Sequence, residues 1–306
     1  MAAFALRRVL LAALVAITVS AIAFGLLYLS GDPVRALAGE NATDEVIQRL
    51  SQEYGFDRPI GEQFLSWLGR AITGDFGKSI YFNTHVADMI WDRLPITMAL
   101  GVMALGFAIC LSIPLGVLAA LRPNTFVDKA ALTISLFGQA LPNFWFAILL
   151  IILFGLTLRW LPISGNSSFA HFILPAVALG YYATPAFMRL IRAEMMDVLA
   201  SDYIRTARAK GLSTSSVLFK HALRNAIIPV VSLAAVQLGF MLGGSVIIEQ
   251  VFAIKGLGAL AWESISRSDY PVVQALVLVI SVIYVGLTLC ADLLNAAIDP
   301  RLRHGH

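Results

Sequence analysis

Residues 194–229 read EMMDVLASDYIRTARAKGLSTSSVLFKHALRNAIIP, a polar island between two long apolar segments. It holds Arg205, Arg208, Lys210, Lys220 and Arg224. The pattern predicts two short helices with a break between them. Ser201 can cap the first, because a hydroxyl accepts from a free N–H of an opening turn. Arg208 and Lys210 fall in its last turn, where positive charge suits the helix dipole. Gly211 fits the left-handed position that ends a helix. Ser213 can cap the second helix, which runs toward Asn225. A first helix of about nine residues is too short to persist alone in water. It is expected to dock on something.

The surrounding composition sets the class. The chain has 306 residues, 58% hydrophobic and 13% charged, with a mean hydropathy of +0.80. Soluble proteins carry about 25% charged residues. This is an integral membrane protein, with membrane lipid as its surroundings. A net charge of +3 confined to a few loops gives no basis for a nucleic-acid partner. Cys110 and Cys290 sit singly in apolar runs and are expected to be buried, inert thiols.

Val9–Leu29 is long enough to cross the roughly 30 Å hydrocarbon layer. No small-residue cleavage site follows it, so it is expected to be retained. Five more apolar spans follow: Ile96–Leu121, Ala130–Leu158, Phe172–Leu190, Ala226–Ile248 and Val272–Leu294. The fold class is therefore an all-α membrane protein with six transmembrane helices and both termini on one side. Pro114, Pro142 and Pro175 are expected to interrupt three spans, as happens in packed bundles that line a path. Gly239, Gly243 and Gly244 favour close helix contact on the fifth. The connections on the N-terminal side hold 13 Lys and Arg, against 3 in the short connections opposite. The positive-inside rule places both termini and the 194–229 island in the cytoplasm.

Residues 30–93 form a small extracytoplasmic region, with a helix expected at Thr43–Tyr54 and turns at Gly31-Asp32-Pro33, Asp57-Arg58-Pro59 and Gly74-Asp75-Phe76-Gly77. Gly77-Lys78-Ser79 lacks the earlier glycine of a phosphate loop, since that position is Ile72. The division is thus 1–93 for the first span and the outer region, 94–295 for the transmembrane core with the cytoplasmic loop at 193–225, and 296–306 for a cytoplasmic tail.

The chain resembles the inner-membrane permease subunits of bacterial ATP-binding-cassette importers, in particular the B-type subunits of the dipeptide/oligopeptide/nickel class. The residues that carry the resemblance are Asp202-Tyr203-Ile204-Arg205-Thr206-Ala207-Arg208-Ala209-Lys210-Gly211-Leu212 and His221-Ala222-Leu223-Arg224-Asn225-Ala226-Ile227-Ile228-Pro229. Shorter pieces fall in order around them, among them Phe56-Asp57-Arg58-Pro59, Leu161-Pro162-Ile163-Ser164-Gly165 and Asp299-Pro300-Arg301. The general importer pattern starts with Glu-Ala-Ala where this chain has Arg205-Thr206-Ala207. The peptide class is similar in lacking that glutamate.

The resemblance implies a type I importer permease fold in a bacterial inner membrane, and no enzyme. It implies that Asp202, Tyr203, Arg205, Thr206, Ala207, Arg208, Ala209, Lys210 and Gly211 form a coupling helix. Implied partners are two cytoplasmic ATPase subunits, a second homologous permease in a heterodimer, and a periplasmic solute-binding protein. The chain is expected to hold no cofactor, because ATP and Mg are bound by the ATPases. Di- or oligopeptides are the implied cargo, with nickel, glutathione or another small solute as alternatives.

Other readings come from the residues directly. Tyr203 and Ala207, one turn apart, offer a surface for close approach. Gln139, Asn143 and Gln237 lie within spans and are candidates to line the path, or else bond across helices. Glu249, at the outer end of its span, could meet a cationic peptide terminus, but is expected rather in water at the interface. Asp292 is expected in an ion pair or hydrated. Residues 30–93 and 251–270 are candidate surfaces for the solute-binding protein, with Glu40, Asp44 and Glu53 as charge contacts. His304 and His306 are read as a solvated tail, and no metal site is expected. An ion-driven transporter would need carboxylates deep in a span, and an intramembrane enzyme a nucleophile and base. The sequence shows neither.

Overall fold

The computed structural model describes residues 2–30, 34 and 42–298. Gly31-Asp32-Pro33, Glu40, Asp299-Pro300-Arg301, His304 and His306 lie outside them, and the side chain of Glu53 is likewise undescribed.

The described residues form helices in the order α1 (Ala2–Ser30), α2 (Asp44–Tyr54), α3 (Ile60–Ile72), α4 (Val86–Leu121), α5 (Phe126–Ala140), α6 (Asn143–Leu150), α7 (Ala170–Ala200), α8 (Asp202–Ala209), α9 (Leu223–Ala226), α10 (Ile228–Val251), α11 (Leu257–Ser266) and α12 (Tyr270–Ile298). Two π-helical stretches, Ile151–Thr157 and Ser216–Ala222, continue α6 and lead into α9.

Four of these helices are long and apolar enough to cross a membrane: residues Arg7–Gly25 of α1, α4, α10, and Tyr270–Leu293 of α12. A fifth crossing is possible if α5 and α6 with its π extension count as one broken span. The span at 130–158, expected to be interrupted at Pro142, is two segments bent by 101° at a break after Ala140. Pro142 causes it, because the residue before a proline is pushed into extended backbone; Leu141 has φ −111° and ψ 142°. Pro114 and Pro175, also expected to interrupt, lie inside unbroken α4 and α7. The expected fourth span lies in α7, which is not among the helices apolar enough to cross. Its second half carries Arg189, Arg192, Glu194 and Asp197. It is nevertheless central, with Phe187, Met188, Ile191 and Met195 fully buried.

Lipid is as apolar as leucine, so helix contacts in a membrane rest on close approach rather than on water exclusion. The α4–α7 seam shows this. A Cβ on Gly180 would overlap the carbonyl oxygen of Ala104, and one on Gly116 would lie 2.8 Å from Ile191 Cγ2. Ser112 Oγ donates to the Thr184 carbonyl at 3.0 Å. Contacts advance together along the two chains, so α4 and α7 run parallel. Arg192 fixes α5 against α7 by donating two bonds to the Asp128 carboxylate, each 2.7 Å. On α10, Gly239 receives the Tyr284 ring of α12, whereas Gly243 and Gly244 have open space beside them. The close contact expected from all three glycines therefore exists at one. Gly180→Val should lower the thermal midpoint of the purified protein by a cost of about 1–3 kcal/mol, typical of overpacking. Gly243→Ala should leave it unchanged, and equal midpoints for the two variants would remove the α4–α7 seam as the organising contact.

Cys110 and Cys290 are free but exposed, which corrects the expected burial. Both lie on helices whose outer faces are themselves apolar, so an apolar neighbourhood in sequence does not decide which way a residue faces. Asp292 is ion-paired with Arg8 at 2.9 Å, joining α12 to α1.

Candidate functional site

The helix α8 spans eight residues and is joined to α7 through Ser201. Ser201 has the extended backbone of a cap, φ −72° and ψ 154°, but makes no capping bond. Its hydroxyl turns back to the Val198 carbonyl at 2.5 Å, which corrects the expected role. The other end is as read. Gly211 is left-handed at φ +75°, the conformation where a Cβ is costly. Gly211 N–H bonds to Arg208 O at 2.9 Å and Leu212 N–H to Ala207 O at 3.3 Å, the paired closure of a Schellman turn. Ser213 Oγ accepts from Ser216 N–H only at a long 3.4 Å. The segment it opens is a π-helix rather than an α-helix.

What α8 docks on first is its own chain. Ile204 is fully buried and Ala207 nearly so, in one core cluster with Met195, Val217 and Ala222. Tyr203 and Ala207 therefore do not share a free surface: Ala207 faces inward while Tyr203 is 44% exposed. Asn225 Nδ2 donates to the Tyr203 hydroxyl at 2.8 Å and ties α8 to α9. The open face carries Asp202, Arg205, Thr206, Arg208, Ala209, Lys210 and Gly211. Arg205 pairs with Asp202 at 2.6 Å, but both are highly exposed and such pairs contribute little. Leu212 and Phe219, later in the same polar stretch, are also exposed, at 41% and 63%. A short helix is thus held rigid by two inward residues and offers cations and a phenol on its other side. That combination suits a protein partner.

The three path candidates are not brought together. Gln139, exposed at the end of α5, donates to the Tyr182 carbonyl of α7 at 3.3 Å. Asn143 opens α6 after the break, and Gln237 is half-buried on α10. Among the described residues no hydrogen bond joins any of the three to another.

Two further acids are buried, and of these the sequence singled out only Glu249. Glu249, expected in water, is fully buried. Its carboxylate accepts from Thr97 Oγ1 at 2.8 Å, Ser245 Oγ at 3.0 Å and Ala259 N–H at 2.8 Å. Ala259 is the third residue of α11, so Glu249 caps that helix from α10. Gly256, the N-cap position, makes room for it: a Cβ there would lie 2.5 Å from Glu249 Oε2. Asp269 is also fully buried. It accepts from the Ser79 hydroxyl, from Ile80 N–H at 3.1 Å and from Tyr81 N–H at 3.3 Å, fastening the 79–82 turn to the start of α12. Glycines just ahead of an apolar helix that lacks its own capping residue were the available signal for Glu249.

Glu249 and Thr97 meet at one end of the bundle, where α10 finishes and α4 begins. The helix α8 lies at the other end, beside the start of α10.

Comparison with known proteins gives this geometry a family. Residues 112–304 match the family described as binding-protein-dependent transport system inner membrane component. Residues 1–101 match its N-terminal companion, binding-protein-dependent transport system membrane component, N-terminal. The glutathione transport system permease protein GsiC of Escherichia coli strain K12 is 41% identical over 276 residues, 90% of each chain. GsiC of Shigella dysenteriae serotype 1 matches equally. Among solved structures, inward-facing crystal forms of the MetNI methionine ABC transporter share the fold with TM-scores of 0.56 and 0.57, at 20% and 19% identity, over 69% of this chain and 96% of theirs. The chain therefore belongs to the inner-membrane components of binding-protein-dependent transport systems: it is a multi-pass permease subunit of an ABC importer, not an enzyme.

Proposed function

We propose that this permease forms, with a second homologous permease, the translocation path of an ATP-driven importer of short peptides, glutathione among them. The observation that carries the coupling is the construction of α8. Its inward face is locked into the transmembrane core through Ile204 and Ala207, and its outward face is basic and open. A push on Tyr203, Arg205, Arg208 or Lys210 is transmitted to α7 and α10 without loss in a flexible loop. The segment 202–211 is accordingly the surface that two partner ATPases engage, and those partners bind the ATP and Mg.

In this reading the chain crosses the membrane six times, with α7 shielded by its neighbours and both termini in the cytoplasm. A solute-binding protein delivers cargo at the opposite end, against residues 42–93 and 251–270. Gln139, Asn143 and Gln237 supply amides along the path, suited to a peptide backbone. Peptide cargo is supported by the glutathione permeases that this chain resembles, since glutathione is a tripeptide.

The test is reconstitution of the complete importer in proteoliposomes. Labelled glutathione and a labelled dipeptide should enter only with ATP, the ATPases and the binding protein present. Uptake of nickel in their place would overturn the peptide reading. Uptake by the permease alone under an ion gradient would overturn ATP coupling.

A further inference from the structure

The helix α5 sits on α7 along a narrow seam. Its buried residues are Asp128, Ala131, Ser135 and Gly138, spaced for one helix face. Ala131, Ser135 and Gly138 are small. Small residues let two helices approach closely in a membrane, and they leave little to fix how one lies along the other. Gly138 shows the approach: a Cβ there would lie 2.5 Å from the Tyr181 carbonyl oxygen. Ser135 donates within its own helix, to Leu132 O at 2.8 Å.

Asp128 is the exception on that seam. It is 3% exposed and accepts both forks of Arg192, each at 2.7 Å. Its carboxylate also accepts from Asn124 N–H at 2.8 Å, which holds the turn between α4 and α5. A bidentate arginine–carboxylate pair fixes direction as well as distance. A buried ion pair is weak evidence of stability, because apolar residues of similar size often replace it without loss. What this pair supplies is register. Two further ties lie toward the other end of α5, and both are exposed. The Tyr181 hydroxyl donates to Ile134 O at 2.6 Å, and Gln139 Nε2 to Tyr182 O at 3.3 Å.

These contacts recede along α7 as they advance along α5, so the two helices run antiparallel. Arg192 lies about 14 Å along α7 from Ser201, where α8 is joined. Asp128 lies about 16 Å along α5 from Gln139, beside the break at Leu141. The pair therefore stands between the open helix α8 and the broken span.

We infer that Asp128 and Arg192 form the positioning contact that carries a displacement of α8 and α7 onto α5, and so moves the break at Leu141 and Pro142. This rests on the reading of α8 as the surface that the ATPases engage. Without the pair, α5 slides on its small-residue seam and the displacement stops at α7.

Thiol labelling in the complete importer tests it. The parent chain carries Gln139→Cys with Cys110→Ser and Cys290→Ser, and the probe is a charged maleimide. ATP with vanadate should change the labelling rate about fivefold or more, the low end of allosteric couplings. Asp128→Leu with Arg192→Met puts apolar packing in place of the ion pair. It should abolish the change in labelling at an unchanged thermal midpoint and with ATP hydrolysis intact, since α8 is untouched. Arg192→Lys keeps the charge but loses the fork, and should cut the change by about half or more. A full change in Arg192→Lys, or in an assembled double variant, would make the pair a packing contact and overturn the inference. So would an unchanging parent chain, in which α5 stays still. Loss of ATP hydrolysis in the double variant would place the pair in ATPase docking instead. If Arg205→Glu with Arg208→Glu leaves the labelling change intact, the reading of α8 fails and takes this inference with it. If only the variants of the pair leave it intact, this inference alone fails.

Discussion

Glu249→Ala should be the most damaging single substitution outside the α4–α7 seam. The alanine leaves Ala259 N–H and the Thr97 hydroxyl without their acceptor in a place water does not reach. Ser245 loses less, because its hydroxyl also bonds to Leu242 O at 3.0 Å. A buried polar group stripped of its partner costs about 1–3 kcal/mol, and the vacated volume adds a cavity cost. Together these amount to about 3–5 kcal/mol. For a protein of this size that is about 10 °C in thermal midpoint. Glu249→Gln keeps the volume and one carbonyl acceptor, so it should lose less than half as much. Thermal denaturation of the purified protein, followed by circular dichroism, checks both. Equal midpoints for wild type and Glu249→Ala would mean that α11 does not need its cap. The functional consequence is local: Thr97, Ser245, Glu249 and Leu257–Gly258 join α4, α10 and α11 at the end of the bundle remote from α8.

Reversing the open face of α8 should separate transport from folding. Arg205→Glu with Arg208→Glu changes only exposed side chains, and such changes move stability by about 0.5 kcal/mol or less. Docking on an ATPase should suffer far more, since a central arginine of an interface is worth about 2 kcal/mol or more. ATP-driven uptake should therefore fall about tenfold or more at an unchanged thermal midpoint. Ile204→Asp should do the reverse, because it buries an unpaired carboxylate in the core and lowers the midpoint. Measuring uptake and midpoint side by side distinguishes the two faces. If the double variant transports like wild type, α8 is not the coupling element.

Several features were legible without coordinates because they depend on local chemistry. The end of α8 at Gly211 follows from one residue's tolerance of positive φ. The break at Pro142 follows from steric exclusion of helical backbone before proline. Apolar runs of sufficient length announced α1, α4, α10 and α12, and the 202–212 stretch announced its family. Other readings failed where the outcome depends on which neighbour a side chain meets. Cys110 and Cys290 are equally apolar in context whether they face the core or the outside. Gly239, Gly243 and Gly244 look alike in sequence, yet only Gly239 stands opposite a ring. Ala207 looked as available as Tyr203, and one turn of helix separates buried from open.

What the sequence by itself determined is the class, the apolar segments and the identity of the α8 segment, since composition and short-range geometry are properties of neighbours in the chain. Only the tertiary structure decided the place of the two acids. Glu249 finds Thr97 from 152 positions away, and Asp269 finds Ser79 from 190. Their carboxylates are buried because other helices bring hydroxyl and N–H donors to them. No local pattern around either residue states that those donors will arrive.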